Sequence, residues 1–485
     1  MINGRQSTFR SSRRSAGRPA VLRRTAAVPV ALLLAGTGLV IAAAPAAADP
    51  ECKSYHDLNG DNQADTVVGA PGVVGGSAPR DGQVTVHLSN GKTETIAGKP
   101  GFGSSLTFVC NQLVIGSPYE SAAGIAEAGA VHVYGPTDSG TIERRATYTA
   151  GRNGVPGTPQ QGAHFGTAVA STPDVRPGSD PGSQRLYIGI PGEDVNGIDG
   201  AGRVTSFTTG TGDGPVGAAR TTTYATPGVA GVPSPNAGLG TTISVDAGIV
   251  AIGAPGQPVG GVARAGKVMI ESINNDFTTY SLSQDSRNFP GTAETGDRFG
   301  WSVHVAPSVD SSPTRLLIGV PDETIDGIVH AGAVDVVPFS EATGRPNDKI
   351  VAWDQDSPGM AGATEQGDRF GWAVGSAVIG DLQQLVVGTP YEAIGDREAA
   401  GMVQTIRTGL AWTQSTRGVP GTPESGDRMG ASLSGSIMGL AIGLPGENDA
   451  SGAVIVGVPQ DEETPELLLP QSSGSPACFG SALQH

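Results

Sequence analysis

The chain has 485 residues, of which 30 are basic, 46 acidic, 74 Gly and 36 Pro, with aromatics at 5%. So acidic a chain lacks the basic excess that neutralises a phosphate backbone, which argues against nucleic acid as a partner. Its three cysteines are too few for a scaffold built on disulfides.

In chain order, an export signal comes first. Residues 1–24 carry seven Arg and no acid, 26–44 are mostly apolar, and Ala46-Ala47-Ala48 offers a small-x-small cleavage site before Asp49. Residues 1–48 are expected to be removed, leaving 437 residues as a secreted and extracellular, or cell-wall-associated, monomer. Seven Arg leave with the signal, so 23 basic residues face 46 acidic ones and the net charge becomes −23. Arg13-Arg14 and Arg23-Arg24 leave both the general and the twin-arginine export routes open. No second apolar segment is long enough to span a membrane. Export favours one disulfide, for which Cys52 with Cys110 is preferred over pairings with Cys478.

Two half-motifs then repeat along the chain. A short apolar run closing in Gly-x-Pro occurs at 67–71 (VVGAP), 114–118 (VIGSP), 187–191 (YIGIP), 251–255 (AIGAP), 317–321 (LIGVP), 386–390 (VVGTP) and 441–445 (AIGLP). An apolar-Gly pair opens a strand at Phe102, Phe165, Leu239, Phe299, Phe370, Met429 and Phe479, at spacings of 63, 74, 60, 71, 59 and 50 residues. The first run has no pair before it, and the last pair has no run after it. Each unit reads as four short strands: an alternating strand after the pair, a strand buried on both faces into Gly-x-Pro, a third such as 333–337 (AVDVV), and a polar fourth such as 278–283 (TTYSLS).

Four-stranded units at this period indicate an all-β, seven-bladed β-propeller whose first blade is closed by the C-terminal strand. The expected blades are 49–101 plus 478–485, 102–164, 165–238, 239–298, 299–369, 370–428 and 429–477. A linear solenoid would instead show a whole first unit, a whole last unit and polar caps.

Between His56 and the first Gly-x-Pro run, Asp57, Asn59, Asp61 and Asp65 fall at loop positions 1, 3, 5 and 9, with the backbone carbonyl of Gln63 at 7. Hard cations such as calcium take six to eight oxygens, and this register wraps a tight loop around one ion. An EF-hand needs Gly at position 6 and Glu at 12, where this chain has Asn62 and Val68. A metal-free Asx-rich turn is the plainer alternative. One structural calcium site is expected, since the other blades lack the pattern.

These features together, the Phe-Gly openings, runs such as VVGAP and AIGAP, and the D-x-N-x-D-x-x-x-D loop, resemble the FG-GAP repeats of the integrin α-subunit propeller, in the secreted actinobacterial type. The resemblance covers essentially the whole mature chain. It implies a seven-bladed propeller with a calcium loop opposite the main ligand-binding face, and carries over Asp57, Asn59, Asp61, Gln63 and Asp65 as the metal set. The chain departs from it in having one calcium loop, Leu239 and Met429 in place of Phe, and no leg domains.

No Gly-x-Ser-x-Gly elbow and no His-Glu-x-x-His motif is present. No catalytic residue is therefore assigned, and the sequence is read as a non-enzymatic adhesion module binding an extracellular protein or glycan. A hydrolase or lyase with its site in the propeller channel, and a passive cell-envelope module, stand as alternatives. The acids after Gly-x-Pro (Glu120, Glu193, Glu323, Glu392, Glu447) are expected to anchor loops through backbone N–H groups. The Gly-Asp-Arg triplets at 296–298, 367–369 and 426–428 are read as an Asp closing the turn with an Arg pairing locally. Trp301 and Trp372, each following the Gly of a strand-opening pair, are read as blade packing.

Overall fold

The computed structural model describes residues 56–484, apart from 73–79, 138–139, 175–181, 210–216, 218, 230, 274–276, 310–312, 341–342, 348, 437–438, 460–463 and 471–476. The expected signal 1–48 and Cys52 lie outside the described residues. Cys110 is disulfide-bonded, and Cys478 is half-buried.

Seven antiparallel sheets form in sequence order, and each begins at an inner strand that follows an apolar-Gly pair. The inner strands of blades 2 to 7 are Ser105–Val109, Val169–Pro173, Thr242–Asp246, Ser302–Ala306, Ala373–Ile379 and Ser432–Ser436. The second strands carry the Gly-x-Pro runs, for example Arg315–Val320, where Leu316, Leu317 and Ile318 are all fully buried. Burial on both faces is why those runs are continuously apolar instead of alternating. The inner strands neighbour one another all the way round the ring. Among the described residues the only helical turn is Glu447–Ala450, and Asn448 and Asp449 inside it have left-handed φ.

Blade 1 is completed by the chain's end. Ala482–Gln484 pairs antiparallel with Thr66–Ala70, in the register Val67↔Gln484, Val68↔Leu483, Gly69↔Ala482. The unmatched half-motifs at the two ends thus meet in one sheet. This closure removes the open edges that an array of sheets would otherwise expose.

The two repeated glycines make the seam between blades. A Cβ on Gly319 would stand 2.1 Å from the carbonyl oxygen of Gly371 in the next blade. The same contact recurs at Gly69–Gly103, Gly116–Gly166, Gly189–Gly240, Gly253–Gly300, Gly388–Gly430 and Gly443–Gly480, all between 2.0 and 2.2 Å, so the seven contacts close on themselves. Gly480 also donates its N–H to the Gly69 carbonyl at 3.0 Å. Beside each seam the large apolar residue of the pair is buried, and Leu239 and Met429 are as enclosed as the five Phe. Burying each such side chain contributes about 1.5–3 kcal/mol.

Candidate functional site

The expected metal loop folds as one tight turn into Thr66–Ala70. Oδ1 of the buried Asp57 accepts the N–H groups of Asn59, Gly60 and Asp61 at 3.2, 2.6 and 3.3 Å, and its Oδ2 accepts that of Asn62 at 2.8 Å. Asn59 Oδ1 accepts the Asp61 N–H, and Asp61 Oδ1 accepts the Gln63 N–H, both at 2.9 Å. The buried Asp65 accepts the N–H groups of Leu58 at 2.6 Å and Ser89 at 2.8 Å. Asn62 takes φ 63°, so Asn supplies the left-handed turn for which an EF-hand uses Gly.

The donors are all oxygen, the chemistry a calcium ion takes. Among the described residues, however, no three His, Cys, Asp or Glu side chains gather as a metal-holding group. The Asp61 carboxylate instead receives the Ser89 hydroxyl at 2.6 Å, which holds its affinity for a proton below the usual carboxylate value. Ser89, from the next hairpin, is absent from the sequence motif. His56 stacks on Phe108 at 4.6 Å and lies 3.3 Å from Gln484 Nε2, which ties the loop to the closing strand.

The acids after Gly-x-Pro behave differently from expectation. They take side-chain partners: Gln284 Nε2 donates to Glu323 at 2.6 Å, Gln355 to Glu392 at 2.7 Å and Gln414 to Glu447 at 2.8 Å. Glu193 pairs with Arg203, and Glu120 with His132, each at 2.8 Å. Burial pushes the Glu323 carboxyl up to about 8 and that of Glu392 up to about 7. Of the triplets, the Asp half is as expected. Asp297, Asp368 and Asp427 accept the N–H groups of Glu294, Glu365 and Glu424 at 2.5, 2.8 and 2.5 Å.

Among the described residues, two neighbouring inner strands bring together a pair of nucleophile and base types. His304 Nε2 lies 2.8 Å from Ser376 Oγ on the neighbouring inner strand, and burial pushes the imidazole down to about 4, which keeps it neutral. Thr107 and Ser171 occupy the same relative positions three seams away, 3.5 Å apart. A bond repeated at an unrelated seam is a staple between inner strands, so it marks no active site.

The arginines of the triplets reach across blades, contrary to the expected local pairing. Arg298 Nε lies 3.2 Å from Asp322 Oδ2, and Arg369 Nε lies 3.3 Å from Asp322 Oδ1. Asp322 follows the Gly-x-Pro run of blade 5 and its side chain is only 4% exposed. His330 Nδ1 stands 3.2 Å from the same Oδ1. That oxygen is buried and accepts no hydrogen bond.

Trp301 and Trp372 are half-buried on this face, 4.8 Å apart between ring centres, so the rings of two neighbouring blades pack on one another. Tyr391 extends the row at 5.4 Å from Trp372. The guanidiniums interleave with these rings: Arg298 over Trp301 at 5.3 Å, Arg369 over Tyr391 at 4.8 Å and Arg428 over Tyr391 at 5.5 Å. Each such contact contributes about 0.5–2 kcal/mol.

The repeat itself shows what is special here. At the Trp position the other blades have Ser104, Thr167, Thr241 and Ser481, whose hydroxyls bond the carbonyl three residues back, and Ala431 in blade 7. The three arginines hold φ of 58° to 61°, at a position that is Gly101 and Gly238 in other blades. Because the inner strands of blades 5 and 6 start at Ser302 and Ala373, the cluster sits at the channel mouth. The metal loop enters the opposite end of its sheet, since Thr66–Ala70 runs antiparallel to Ala482–Gln484.

No family model and no curated protein matches the chain. Solved structures similar to it include a periplasmic gluconolactonase from Pseudomonas aeruginosa (TM-score 0.44, 13% identity), with 85% of this chain and 98% of that chain covered. A protein from Lactobacillus plantarum matches with TM-score 0.43 and 11% identity, over 86% and 98% of the two chains. Sqt1 from Chaetomium thermophilum gives 0.42 and 13%, over 82% and 80%. These likenesses concern the fold. A named enzyme stands among them, and the expectation of a non-enzymatic adhesion module is withdrawn on that finding.

Proposed function

We propose that the chain is an exported propeller enzyme, a hydrolase or lyase, that takes an anionic, ring-bearing substrate on the arginine–tryptophan face. One observation carries this reading. In blades 5 and 6 alone, a turn-capping position is given to Trp, and both rings stand half-exposed between arginines on a chain of net charge −16. The guanidiniums of Arg298 and Arg369, each held to Asp322 through Nε, keep their Nη groups for an anion, and the flat rings beside them suit the face of a sugar or an aromatic group.

The strand-opening pairs and Gly-x-Pro runs support placing the propeller among FG-GAP repeat proteins, exported by way of residues 1–48. Asp57, Asn59, Asp61, the Gln63 carbonyl and Asp65 would hold a calcium ion that stiffens blade 1. The ion's part is structural, and the reaction face is served by other residues.

The test is turnover. The exported protein is incubated with polygalacturonate, alginate and neutral amylose, and new chain ends are counted by a reducing-end assay. Cleavage of acidic polymer with amylose left intact is expected. The Trp301→Ala/Trp372→Ala double variant should lose about tenfold or more in kcat/KM, roughly 1.4 kcal/mol of transition-state binding, with its melting temperature unchanged. Failure to cut either acidic polymer defeats the reading.

A further inference from the structure

Resting on that reading, we infer that the face is a lyase site for hexuronate polymers, in which His330 removes the proton α to the sugar carboxylate. Three features converge on it. First, Asp322 binds both Arg298 and Arg369 through Nε. Their Nη atoms make no hydrogen bond among the described residues and are left to a ligand. Two guanidinium edges beside one another are the geometry that clamps a carboxylate, and Arg serves this better than Lys because its fork is planar.

Second, His330 is half-exposed and its Nδ1 faces the buried Asp322. With Nδ1 turned to Asp322, the ring's other nitrogen, Nε2, lies on the edge away from that carboxylate and is the one offered to a ligand. A base oriented by a buried carboxylate is the arrangement that proton abstraction requires. Third, Trp301 and Trp372 give the polymer's sugar rings a surface to lie on, next to the cations.

In the reaction, Nε2 takes the hydrogen from C5 of the uronate. The electron pair left on C5 is delocalised into the carboxylate, whose negative charge the two guanidiniums neutralise. That pair then forms the C4–C5 double bond as the C4–O bond breaks. The departing oxygen keeps the bonding pair and takes a proton from water, and His330 returns its own proton to solvent. No oxidant or reductant is consumed. Hydrolysis would instead add water across the broken bond and leave no double bond.

The experiment follows polygalacturonate and alginate digestion by two signals at once: reducing ends, and the ultraviolet absorbance of the conjugated unsaturated uronate. Both should rise together. His330→Ala should lower kcat by about 10²–10⁴-fold, while the KM for the polymer changes little. Arg298→Lys with Arg369→Lys should mainly raise KM. Circular dichroism and melting curves of each variant confirm folding, and His330→Gln provides a second, near-isosteric variant. Reducing ends without the chromophore would mean hydrolysis and overturn the lyase inference, leaving the enzyme reading in place. Full activity in both His330 variants would also overturn it. No cleavage at all would sink both readings together.

Discussion

Replacing Gly319 by Ala tests the glycine seam on which the ring rests. The new Cβ would stand 2.1 Å from the Gly371 carbonyl oxygen and 2.2 Å from Ser302 Oγ. Ser302 also donates to that same carbonyl at 2.9 Å, so the intruding methyl presses on both partners of a bond that joins two blades. Backbone cannot swing aside as a long side chain can. The seam must open by roughly 1 Å, which costs about 1–3 kcal/mol as overpacking. The strained hydrogen bond adds about 0.5–1.5 kcal/mol, and together they give a loss of about 1.5–4.5 kcal/mol. Guanidinium denaturation followed by circular dichroism measures it as a lower midpoint. The control is Gly375→Ala on the adjacent inner strand, where φ is not positive and the closest atom to a Cβ is Leu433 Cβ at 3.7 Å. There the methyl should be neutral, or stabilising by about 0.4–1 kcal/mol through the unfolded chain. Equal midpoints for Gly319→Ala and the wild type, or equal damage at the two positions, would refute the seam argument.

Two further outcomes are expected. Adding millimolar calcium to chelator-treated protein should raise the melting temperature, and Asp61→Ala should abolish the increment; an increment that survives Asp61→Ala excludes this loop as its source. The second concerns pH. Burial pushes the Asp335 carboxyl up to about 7, against an ordinary value of 3.8. The folded state therefore binds this proton more tightly than the unfolded one, so its contribution is full below the unfolded value and is lost as pH rises towards and through 7. Asp335→Asn should accordingly melt higher than wild type at pH 8, with the gap closing towards pH 4. A gap independent of pH would contradict this.

Much of the architecture was legible in the sequence because the seam requires it. Only Gly fits where a neighbouring carbonyl stands 2.1 Å from the would-be Cβ, so Gly319 and its six counterparts recur in strict register. The surplus pair at Phe479 likewise foretold the strand Ala482–Gln484 beside Thr66–Ala70. The candidate site was harder to read. Arg298, Asp322 and Arg369 are separated by 24 and 47 residues and belong to a seam between blades, so no local spacing joins them. A Gly-Asp-Arg triplet reads as a turn, and its Asp does close one, which hides the different role of the Arg beside it. The tryptophans did leave a signal. Setting 301 and 372 against Ser104, Thr167, Thr241 and Ser481 shows that a small hydroxyl completes this turn, and hence that Trp is not needed for it.

That comparison has a general form. When the fold imposes one backbone on seven equivalent turns, whatever a position needs for folding is seen in the blades that carry nothing else. Gly101 and Gly238 show that the residue before the strand-opening pair needs only a left-handed φ. A side chain there gives up about 1–2 kcal/mol to the strained backbone, and this chain accepts that cost at His164 and Cys478 as well as, three times in succession, at Arg298, Arg369 and Arg428. The arginines recover part of that cost through Asp322 and through the rings of Trp301, Trp372 and Tyr391. What the three share is one stretch of channel mouth, a row of half-exposed rings, and a buried carboxylate that fixes two of them by one nitrogen each. It is this gathering on one rim, and not the strained turn that His164 and Cys478 share, on which the proposed substrate face rests.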